Sequence, residues 1–196
     1  MLHVGITGGI GAGKSVVCTV FSKLGIPVYN ADAAAKSLMH NDPLVKQKLT
    51  TTFGESVFAN GHLNTEWLRM NVFKNTVLIN QLNSIVHPAV AVDFQRWAAA
   101  QHNVPYTLRE AAILYESGTN VGLDFVILVD APAPLRTKRI EMRDHRTAEE
   151  IENIMTNQWS SEKKRNLADF VIENDDQHLL LPQILMIHQK IVTACE

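Results

Sequence analysis

The chain has 196 residues, of which 46% are apolar, and its formal net charge is −2 with histidine neutral. This length fits one domain, or one domain carrying a small insertion, and the apolar content is enough for a sizeable core. The small net charge argues against a broad nucleic-acid surface, and no apolar run reaches the ~18 residues of a membrane span. We expect a monomer or a weak oligomer that binds neither nucleic acid nor membrane.

The N-terminus and the cysteines indicate a cellular compartment. Met1 passes directly into a predicted strand, which leaves no room for a signal or transit peptide. Cys18 and Cys195 are the only cysteines. We expect Cys18 to pack inside, and the pair does not suggest a structural disulfide. The sequence therefore predicts a cytoplasmic protein.

A glycine-rich segment, GGIGAGKS from Gly8 to Ser15, follows the first predicted strand. It lies between an apolar run ending at Ile6 and a helical pattern that begins at Val16. The spacing G-x-x-x-x-G-K-S between a strand and a helix is typical of a phosphate-binding P-loop. Converging backbone N–H groups and the positive helix N-terminus favour phosphate there. A glycine-rich turn that binds nothing is the alternative, and it is disfavoured because the spacing, the lysine, the serine and both flanking elements agree.

The P-loop predicts which residues contact a nucleoside triphosphate. Lys14 supplies a full positive charge for the β- and γ-phosphates, and the Ser15 hydroxyl is suited to Mg²⁺. The expected phosphate-binding residues are Gly9, Gly11, Ala12, Gly13, Lys14, Ser15 and Val16.

The second strand ends at Asn30, and helical signals then dominate to about residue 101. Asp42 is a predicted cap and Pro43 the first residue of a helix that ends at Gly54. Asn60-Gly61 indicates a turn. His87-Pro88 interrupts a later apolar stretch. These signals predict a compact helical insertion over residues 33–101, flanked by core residues 1–32 and 102–196.

Three further strands follow the insertion. The third lies in Tyr106 to Tyr115 and is strongest at Ala111–Tyr115, the fourth is Phe125–Val129, and the fifth is Phe170–Ile172. Continuous apolar runs suit a parallel sheet covered on both faces. A capping box at Thr147–Glu150 and a final helix over Leu181–Val192 complete the pattern. Strands separated by helices predict a doubly wound α/β fold with five parallel strands.

Polar residues directly after the predicted strands are candidates for chemistry, because ligands of such folds bind at the carboxyl ends of the strands. Asp32 follows the second strand and is the candidate general base, since a carboxylate near a phosphate donor can accept a hydroxyl proton. An equally weighted alternative makes Asp32 the N-cap of a helix that begins around Ala33.

Two more carboxylates have a claim on the metal or the acceptor. Asp130 follows the fourth strand and is suited to holding Mg²⁺ through water, or else is a turn residue before Pro132. Glu116 follows the third strand, and we rank it slightly ahead for contact with the acceptor or with metal-bound water.

Basic residues near the C-terminal part of the core suggest a lid over about residues 133–165. Arg136, Arg139 and Arg143 recur at helical spacing, with Arg146 just beyond. One cationic face could close over the triphosphate and neutralise charge during transfer. The alternative is that these arginines form a helix face that is exposed to solvent and binds no ligand. Lys163–Arg165 is interpreted mainly as a solvated surface, and the eight histidines show no metal-ligand spacing.

These residues together resemble the dephospho-CoA kinase family. The resemblance rests on blocks that cover nearly the whole chain in family order: Gly5–Ser15, Asn30–Asp32, His87–Val90, Ile113–Gly118, Val129–Pro132, Arg139–Asp144, Gln158 and Ala168–Asn174. It implies a P-loop kinase-like three-layer α/β/α fold with a helical CoA-binding insertion and a lid. It also implies an ATP- and Mg²⁺-dependent kinase for the ribose 3′-hydroxyl of dephospho-CoA, the last step of coenzyme A synthesis.

The resemblance also implies residue roles. It makes Asp32 the catalytic carboxylate and places Lys14 at the phosphates, with Arg139 or Arg143 acting from the lid. It places His87 in the acceptor-binding insertion and Asn174 near the adenine of ATP.

Three departures from the family pattern stand out. Asn30 occupies a position where the family often has a first aspartate. Asp175-Asp176 stands where a glycine is common. Arg109-Glu110 is more polar than the usual segment, which we interpret as an edge position in the sheet.

Two other functions stay open on the sequence. A P-loop kinase for another small nucleotide or hydroxyl acceptor would share the core and differ in the insertion. A nucleotide-dependent regulatory switch is the less favoured alternative, since the N-K-x-D guanine motif of GTPase-type switches is absent.

Overall fold

A computed structural model describes residues 1–144 and 147–195 of the chain, so Arg146 of the expected lid lies outside the described residues. The chain forms two compact units. The first comprises Met1–Asn30 and Ala100–Glu196, and the second comprises Ala31–Ala99.

The elements follow in chain order. The strands are β1 (Leu2–Thr7), β2 (Val28–Asn30), β3 (Phe58–Ala59), β4 (His62–Leu63), β5 (Tyr106–Glu110), β6 (Phe125–Asp130) and β7 (Phe170–Glu173). The helices are α1 (Lys14–Lys23), α2 (Ala31–Asn41), α3 (Pro43–Phe53), α4 (Thr65–Asn71), α5 (Thr76–Ala99), α6 (Ala133–Asp144), α7 (Ala148–Thr156), α8 (Ser161–Arg165) and α9 (Leu180–Thr193). A 3₁₀ turn spans Glu55–Val57.

The first unit is built on a parallel sheet, which confirms the predicted α/β class. Its order among the described residues is β2-β5-β1-β6-β7, and each neighbouring pair is parallel. The strand that carries the P-loop, β1, is therefore central, with β5 and β6 on either side. This order brings the carboxyl ends of all five strands to one edge of the sheet.

The core of this unit lies between the sheet and helices α1 and α9. Every second side chain of a strand points to this face of the sheet, and apolar side chains recur at helical spacing on α1 and α9. The fully buried members include Val4, Ile6, Val17, Phe21, Ile127, Val129, Ile172, Ile184, Ile187 and Ile191. Gly5 leaves room on the opposite face of β1 for Leu114 and Leu123, whose side chains would collide with a Cβ there.

The third strand differs from the sequence prediction. β5 spans Tyr106–Glu110, whereas the apolar run Ala111–Tyr115 forms turns. Leu114 and Tyr115 are buried although they lie outside a strand. An apolar run indicates that residues are buried but does not show that their backbone is extended. The prediction therefore placed the strongest part of the strand in the second half of the segment, whereas the strand occupies the first half. The edge position expected for Arg109 and Glu110 is also wrong, because β5 lies between β2 and β1.

The second unit consists of helices α2 to α5 and a short hairpin. The hairpin pairs β3 with β4 around the turn predicted at Asn60-Gly61. Asp42 caps α3 by accepting hydrogen bonds from the backbone of Leu44 and Val45, and Gly54 ends the helix, as predicted.

Helix α5 corrects the expected interruption at His87-Pro88. It runs unbroken for 24 residues with Pro88 inside it. Pro88 removes one backbone donor, which usually kinks or ends a helix. Here a stripe of buried side chains on both sides of the proline holds the helix in place: Leu82, Val86, Val90, Phe94 and Ala98. No helix of the described residues is both long enough and apolar enough to cross a bilayer.

Candidate active site

The glycine-rich loop between β1 and α1 has the geometry of an anion-binding loop. Gly13 precedes α1 with φ of 94°, in the left-handed region that glycine tolerates. Lys14 begins the helix and donates from Nζ to the carbonyl of Gly8 at 2.9 Å. Its ammonium therefore folds back over the loop, where backbone N–H groups and the helix N-terminus already favour phosphate. Ser15 is exposed beside it.

Arg136 of α6 lies against this loop. A Cβ at Gly9 would overlap the Arg136 guanidinium, so the glycine is what allows the approach. Within the described residues the Arg136 Nε is buried and has no hydrogen-bond acceptor. Burial lowers the pKa of Arg136, and the charge of Asp130 opposes that shift. A half-buried guanidinium whose Nε donor is unused beside a phosphate loop is suited to an anionic ligand.

Asn174 connects the loop to a second lid arginine. It follows β7, is buried, and donates from Nδ2 to the carbonyl of Ala12 at 2.7 Å. Arg139 donates to the Asn174 backbone oxygen at 3.1 Å and forms an ion pair with Asp176 at 2.6 Å. Asn174 is thus fixed behind the loop, and Arg139 is held beside it.

The three lid arginines do not form one uncompensated cationic face. Arg139 has Asp176 as its partner, and Arg143 pairs with its neighbour Asp144 at 2.7 Å. The Arg143 side chain is mainly exposed. Of the three, Arg136 is the one placed directly against a P-loop glycine.

Gln158 is a further contact to the loop. The backbone N–H of Ile10 donates to Gln158 Oε1 at 2.9 Å. Gln158 follows α7, so this bond ties the lid segment to the P-loop. Sequence reasoning had placed Gln158 only within the family resemblance, with no role, because a glutamine in a loop carries no motif of its own.

Asp130, the candidate for metal-bound water, has both oxygens engaged. Oδ1 accepts from the backbone of Ala131 and Oδ2 accepts from Arg165 at 2.7 Å. Arg165 also pairs with Glu173 at 2.6 Å, and these two partners raise its pKa. Asp130 and Glu173 are register partners at the ends of β6 and β7, so Arg165 links the ends of these two strands through its ion pairs.

Glu116 forms a buried ion pair rather than following a strand. Its Oε1 accepts from Lys164 Nζ at 2.7 Å and from the Trp159 backbone at 2.9 Å. The Lys164 side chain is 1% exposed and that of Glu116 11%. Truncating one partner of such a pair typically costs about 3–5 kcal/mol. These contacts hold the C-terminal end of the lid segment in place. Substrate binding by Glu116 stays a prediction.

Within the basic run Lys163–Arg165, the interpretation as a solvated surface is wrong for Lys164, which is buried, whereas Lys163 and Arg165 are exposed. Lys164 is buried on Glu116, and Arg165 bridges two carboxylates. Lys163 Nζ lies 3.3 Å from the centre of the Trp159 ring, which stacks in turn on Tyr115. The carboxylates that pair with Lys164 and Arg165 lie 8 to 48 residues away along the chain, so no local pattern could reveal them.

Asp32 and His87 belong to the second unit. Helix α2 begins at Ala31, so Asp32 is its second residue rather than the residue before it. The N-cap alternative for Asp32 is therefore wrong, and the carboxylate is exposed in the first turn. His87 is half-buried within α5. Their catalytic and acceptor-binding roles remain predictions.

Comparisons with known proteins identify a family and several relatives of this chain. A family model described as dephospho-CoA kinase matches residues 2–179. The dephospho-CoA kinase of Porphyromonas gingivalis is 40% identical over 197 residues, which cover 98% of this chain and 96% of the relative. That of Bacteroides fragilis strain YCH46 is 38% identical over 198 residues, covering 99% and 97%. A crystal structure of a Thermus thermophilus protein matches with a TM-score of 0.84 at 28% identity, covering 98% of this chain and 97% of that one.

Proposed function

This chain belongs to the dephospho-CoA kinase family, whose reaction is the ATP-dependent phosphorylation of dephospho-CoA, and we propose that it phosphorylates the ribose 3′-hydroxyl. The observation that carries the proposal is a complete P-loop with Lys14 folded over it, in a chain that matches the family along almost its whole length. The enzyme is a phosphotransferase of coenzyme A synthesis.

The P-loop residues and Lys14 are proposed to hold the β- and γ-phosphates. The exposed Ser15 hydroxyl at the start of α1 fits a Mg²⁺ ligand, because hydroxyl oxygen is a hard donor and the residue follows the phosphate-binding lysine directly. When bound, Mg²⁺ neutralises charge that develops on the phosphates. Asn174, fixed behind the loop, is proposed to lie on the adenine side.

Asp32 is proposed to accept the proton of the 3′-hydroxyl. In this reaction the ribose oxygen forms a bond to the γ-phosphorus while the bond from that phosphorus to the bridging oxygen breaks, and ADP leaves. Asp32 is exposed in the first turn of α2, two residues after β2 ends, so its carboxylate is open to a ligand. A positioned carboxylate can orient the hydroxyl and take its proton.

The helical second unit is proposed to bind the acceptor. Within it a groove of about 270 Å³ combines apolar side chains of α2, α3 and α5 with two cations, Lys48 and Arg96, and two carboxylates, Asp42 and Asp93. The apolar walls suit the uncharged pantetheine arm of the acceptor, and the two cations can meet its pyrophosphate. His87 precedes Pro88, which lines this groove. A cytoplasmic location is also proposed, since both cysteines are free thiols and one is exposed.

Acceptor competition tests the proposed substrate. At fixed ATP and Mg²⁺, dephospho-CoA should suppress transfer to any other small hydroxyl acceptor, and no nucleoside or sugar should suppress transfer to dephospho-CoA. A different acceptor that wins this competition would favour the alternative small-acceptor kinase.

We predict that Arg136 contributes more to transfer than Arg143, although the sequence favoured Arg139 and Arg143. Arg136→Lys keeps a charge but loses the planar donor set that lies against Gly9. We expect a roughly 10- to 100-fold lower kcat/KM, the worth of one or two hydrogen bonds to a charged group. Arg143→Lys, at an exposed arginine paired with Asp144, should change it less than Arg136→Lys does. Equal losses in steady-state assays would contradict the assignment to Arg136.

We further predict that the lid responds to nucleotide at α7. α6 is tied to the loop through Arg136 and Arg139, and α8 is anchored by Lys164 and Arg165. Hydrogen exchange over Ala148–Thr156 should slow when a non-hydrolysable ATP analogue binds, while exchange over α8 changes little. Unchanged exchange in α7 would instead indicate a static, solvated helix.

A further inference from the structure

The tip of the P-loop meets the lid segment at three consecutive residues. A Cβ at Gly9 would overlap the Arg136 guanidinium, and a Cβ at Gly11 would lie 2.7 Å from the Arg136 carbonyl oxygen. Ile10, between these glycines, donates its N–H to Gln158 Oε1 at 2.9 Å. The two glycine positions make close packing contacts, whereas a hydrogen bond also has a direction. Gln158 is therefore the lid contact that can orient the loop tip.

The peptide group between Gly9 and Ile10 is held at both of its ends. Its N–H donates to Gln158. Its carbonyl, which belongs to Gly9, accepts from the Ala12 N–H at 3.1 Å and from Lys14 Nζ at 3.5 Å. A trans peptide is planar, so its N–H and its C=O point in opposite directions. The side chain that fixes the N–H thus also fixes a carbonyl that contacts Lys14.

This peptide needs a partner outside the loop, because glycine lets it rotate. Rotation changes ψ of Gly9 and φ of Ile10, and a residue without a Cβ opposes that change only weakly. A stiffer residue does not fit at Gly9, since the Arg136 guanidinium occupies the space of its Cβ. An acceptor on the Ile10 N–H therefore removes the freedom that the glycine introduces.

The backbone at Gln158 is held in place on both sides. The Gln158 N–H donates to the Met155 carbonyl at 3.2 Å, just after α7. The next residue, Trp159, donates its N–H to Glu116 Oε1 at 2.9 Å. Glu116 in turn forms the buried ion pair with Lys164. The Gln158 amide is thus presented to the loop from a fixed position in the first unit.

We propose that Gln158 is a positioning residue for phosphoryl transfer, which holds the Gly9–Ile10 peptide so that the Gly9 carbonyl faces Lys14. The inference rests on the proposed kinase function and deepens it. The Lys14 ammonium lies over the carbonyls of Gly8 and Gly9, and a rotated peptide would remove the second of these contacts. The lysine would then be less well aligned with the β- and γ-phosphates. Gln158 acts through the backbone and touches neither ATP nor the acceptor.

The first test measures the Ile10 amide directly. Gln158→Met removes the acceptor but keeps the length of the side chain. Amide hydrogen exchange is read by NMR on protein labelled with ¹⁵N-isoleucine, without nucleotide, and Ile6 of the buried strand β1 is the internal reference. The Ile10 amide should exchange about 3- to 10-fold faster relative to Ile6, the worth of one neutral hydrogen bond. An unchanged ratio of the two exchange rates would overturn the proposal.

The second test separates positioning from a merely structural role. Gln158→Met should lower kcat by about 3- to 10-fold, the worth of the same bond, and leave KM for dephospho-CoA near that of the parent. Gln158→Glu keeps an oxygen that accepts the Ile10 N–H. Its kcat should stay closer to the parent, while its added negative charge raises KM for ATP. Equal losses of kcat in the two variants would contradict the role of the acceptor.

The neighbouring amide supplies a matched control. Asn157 Nδ2 donates to the Asn153 carbonyl at 2.8 Å, so its hydrogen bond stays within the lid segment. Asn157→Leu should leave the Ile10 exchange ratio unchanged and lower kcat less than Gln158→Met does. An equal effect would show a general disturbance of the lid and overturn the proposal. If Gln158→Met frees the Ile10 amide but the parent transfers nothing to dephospho-CoA, the proposed function fails while the orientation of the loop by Gln158 stands.

Discussion

Replacing Lys14 with alanine should lower kcat for phosphoryl transfer by about 100- to 1,000-fold, the usual effect of removing one preorganised charge or donor from a transition state. Lys14 is the one full positive charge within the P-loop itself, and its Nζ already lies over the loop carbonyls of Gly8 and Gly9. The bound phosphates would lose that charge as negative charge shifts to the leaving oxygen.

Folding should largely survive this change. Lys14 is the first residue of α1, where alanine is a good helix former, and α1 contributes other residues to the buried core, namely Val17, Cys18 and Phe21. Lys23→Ala is the matched control, because it removes an exposed lysine from the last turn of the same helix. Single-turnover rates and thermal midpoints are measured on both variants. A Lys14→Ala enzyme that transfers phosphate at the parent rate would show that the loop does not hold the triphosphate.

Asp32→Asn is expected to reduce transfer to dephospho-CoA by about 100- to 10,000-fold, the typical contribution of a general base. The amide has nearly the same shape but cannot take the hydroxyl proton. Asp32 is exposed in the first turn of α2, so the stability change should be limited to the loss of a favourable charge at a helix N-terminus, about 0.3–1 kcal/mol. ATP affinity should stay near that of the parent.

The control for Asp32 is another first-turn carboxylate of the same helical unit. Glu66 is exposed in the first turn of α4, so Glu66→Gln removes a comparable charge from a helix start. It should lose similar stability and keep full activity. If Asp32→Asn retains more than about a tenth of the transfer rate, a loss smaller than general-base catalysis supplies, Asp32 is not the base.

Local sequence patterns predicted several elements of the fold correctly. The P-loop between β1 and α1, the buried strands β6 and β7, the cap at Asp42 and the capping box at Thr147 and Glu150 were all read correctly. Each of these signals depends on residues within a few positions of one another. Such short-range chemistry is visible in a single sequence.

Local sequence patterns could not predict the distant partners that allow polar residues to be buried. Arg109 and Glu110 looked too polar for an inner strand, yet both are buried in β5. Their partners come from distant segments: Thr119 accepts from Arg109 through its carbonyl at 3.4 Å, and Asn30 donates to Glu110. Lys164 likewise looked exposed and pairs with Glu116, 48 positions earlier in the chain. Polar residues become acceptable inside a protein only through such partners.

The structure brings several of the predicted site residues to the P-loop, although the sequence did not show how they are arranged there. Lys14, Asn174 and Arg139 lie at the loop, with Arg139 reaching it through Asn174. Arg136 was one of three equally spaced arginines, and only the packing against Gly9 distinguishes it. Helical spacing shows that arginines share a face but does not show which one meets the loop.

The central claim is that this chain moves the γ-phosphoryl group of ATP to the ribose 3′-hydroxyl of dephospho-CoA. The most direct test is a single-turnover reaction of excess enzyme with γ-³²P-labelled ATP, Mg²⁺ and dephospho-CoA, with the products separated and identified by mass and by ³¹P NMR. We predict that the label appears in coenzyme A as a 3′-phosphate monoester, in an amount equal to the ADP formed. Label released as inorganic phosphate with dephospho-CoA unchanged, or attached to another position, would contradict the account.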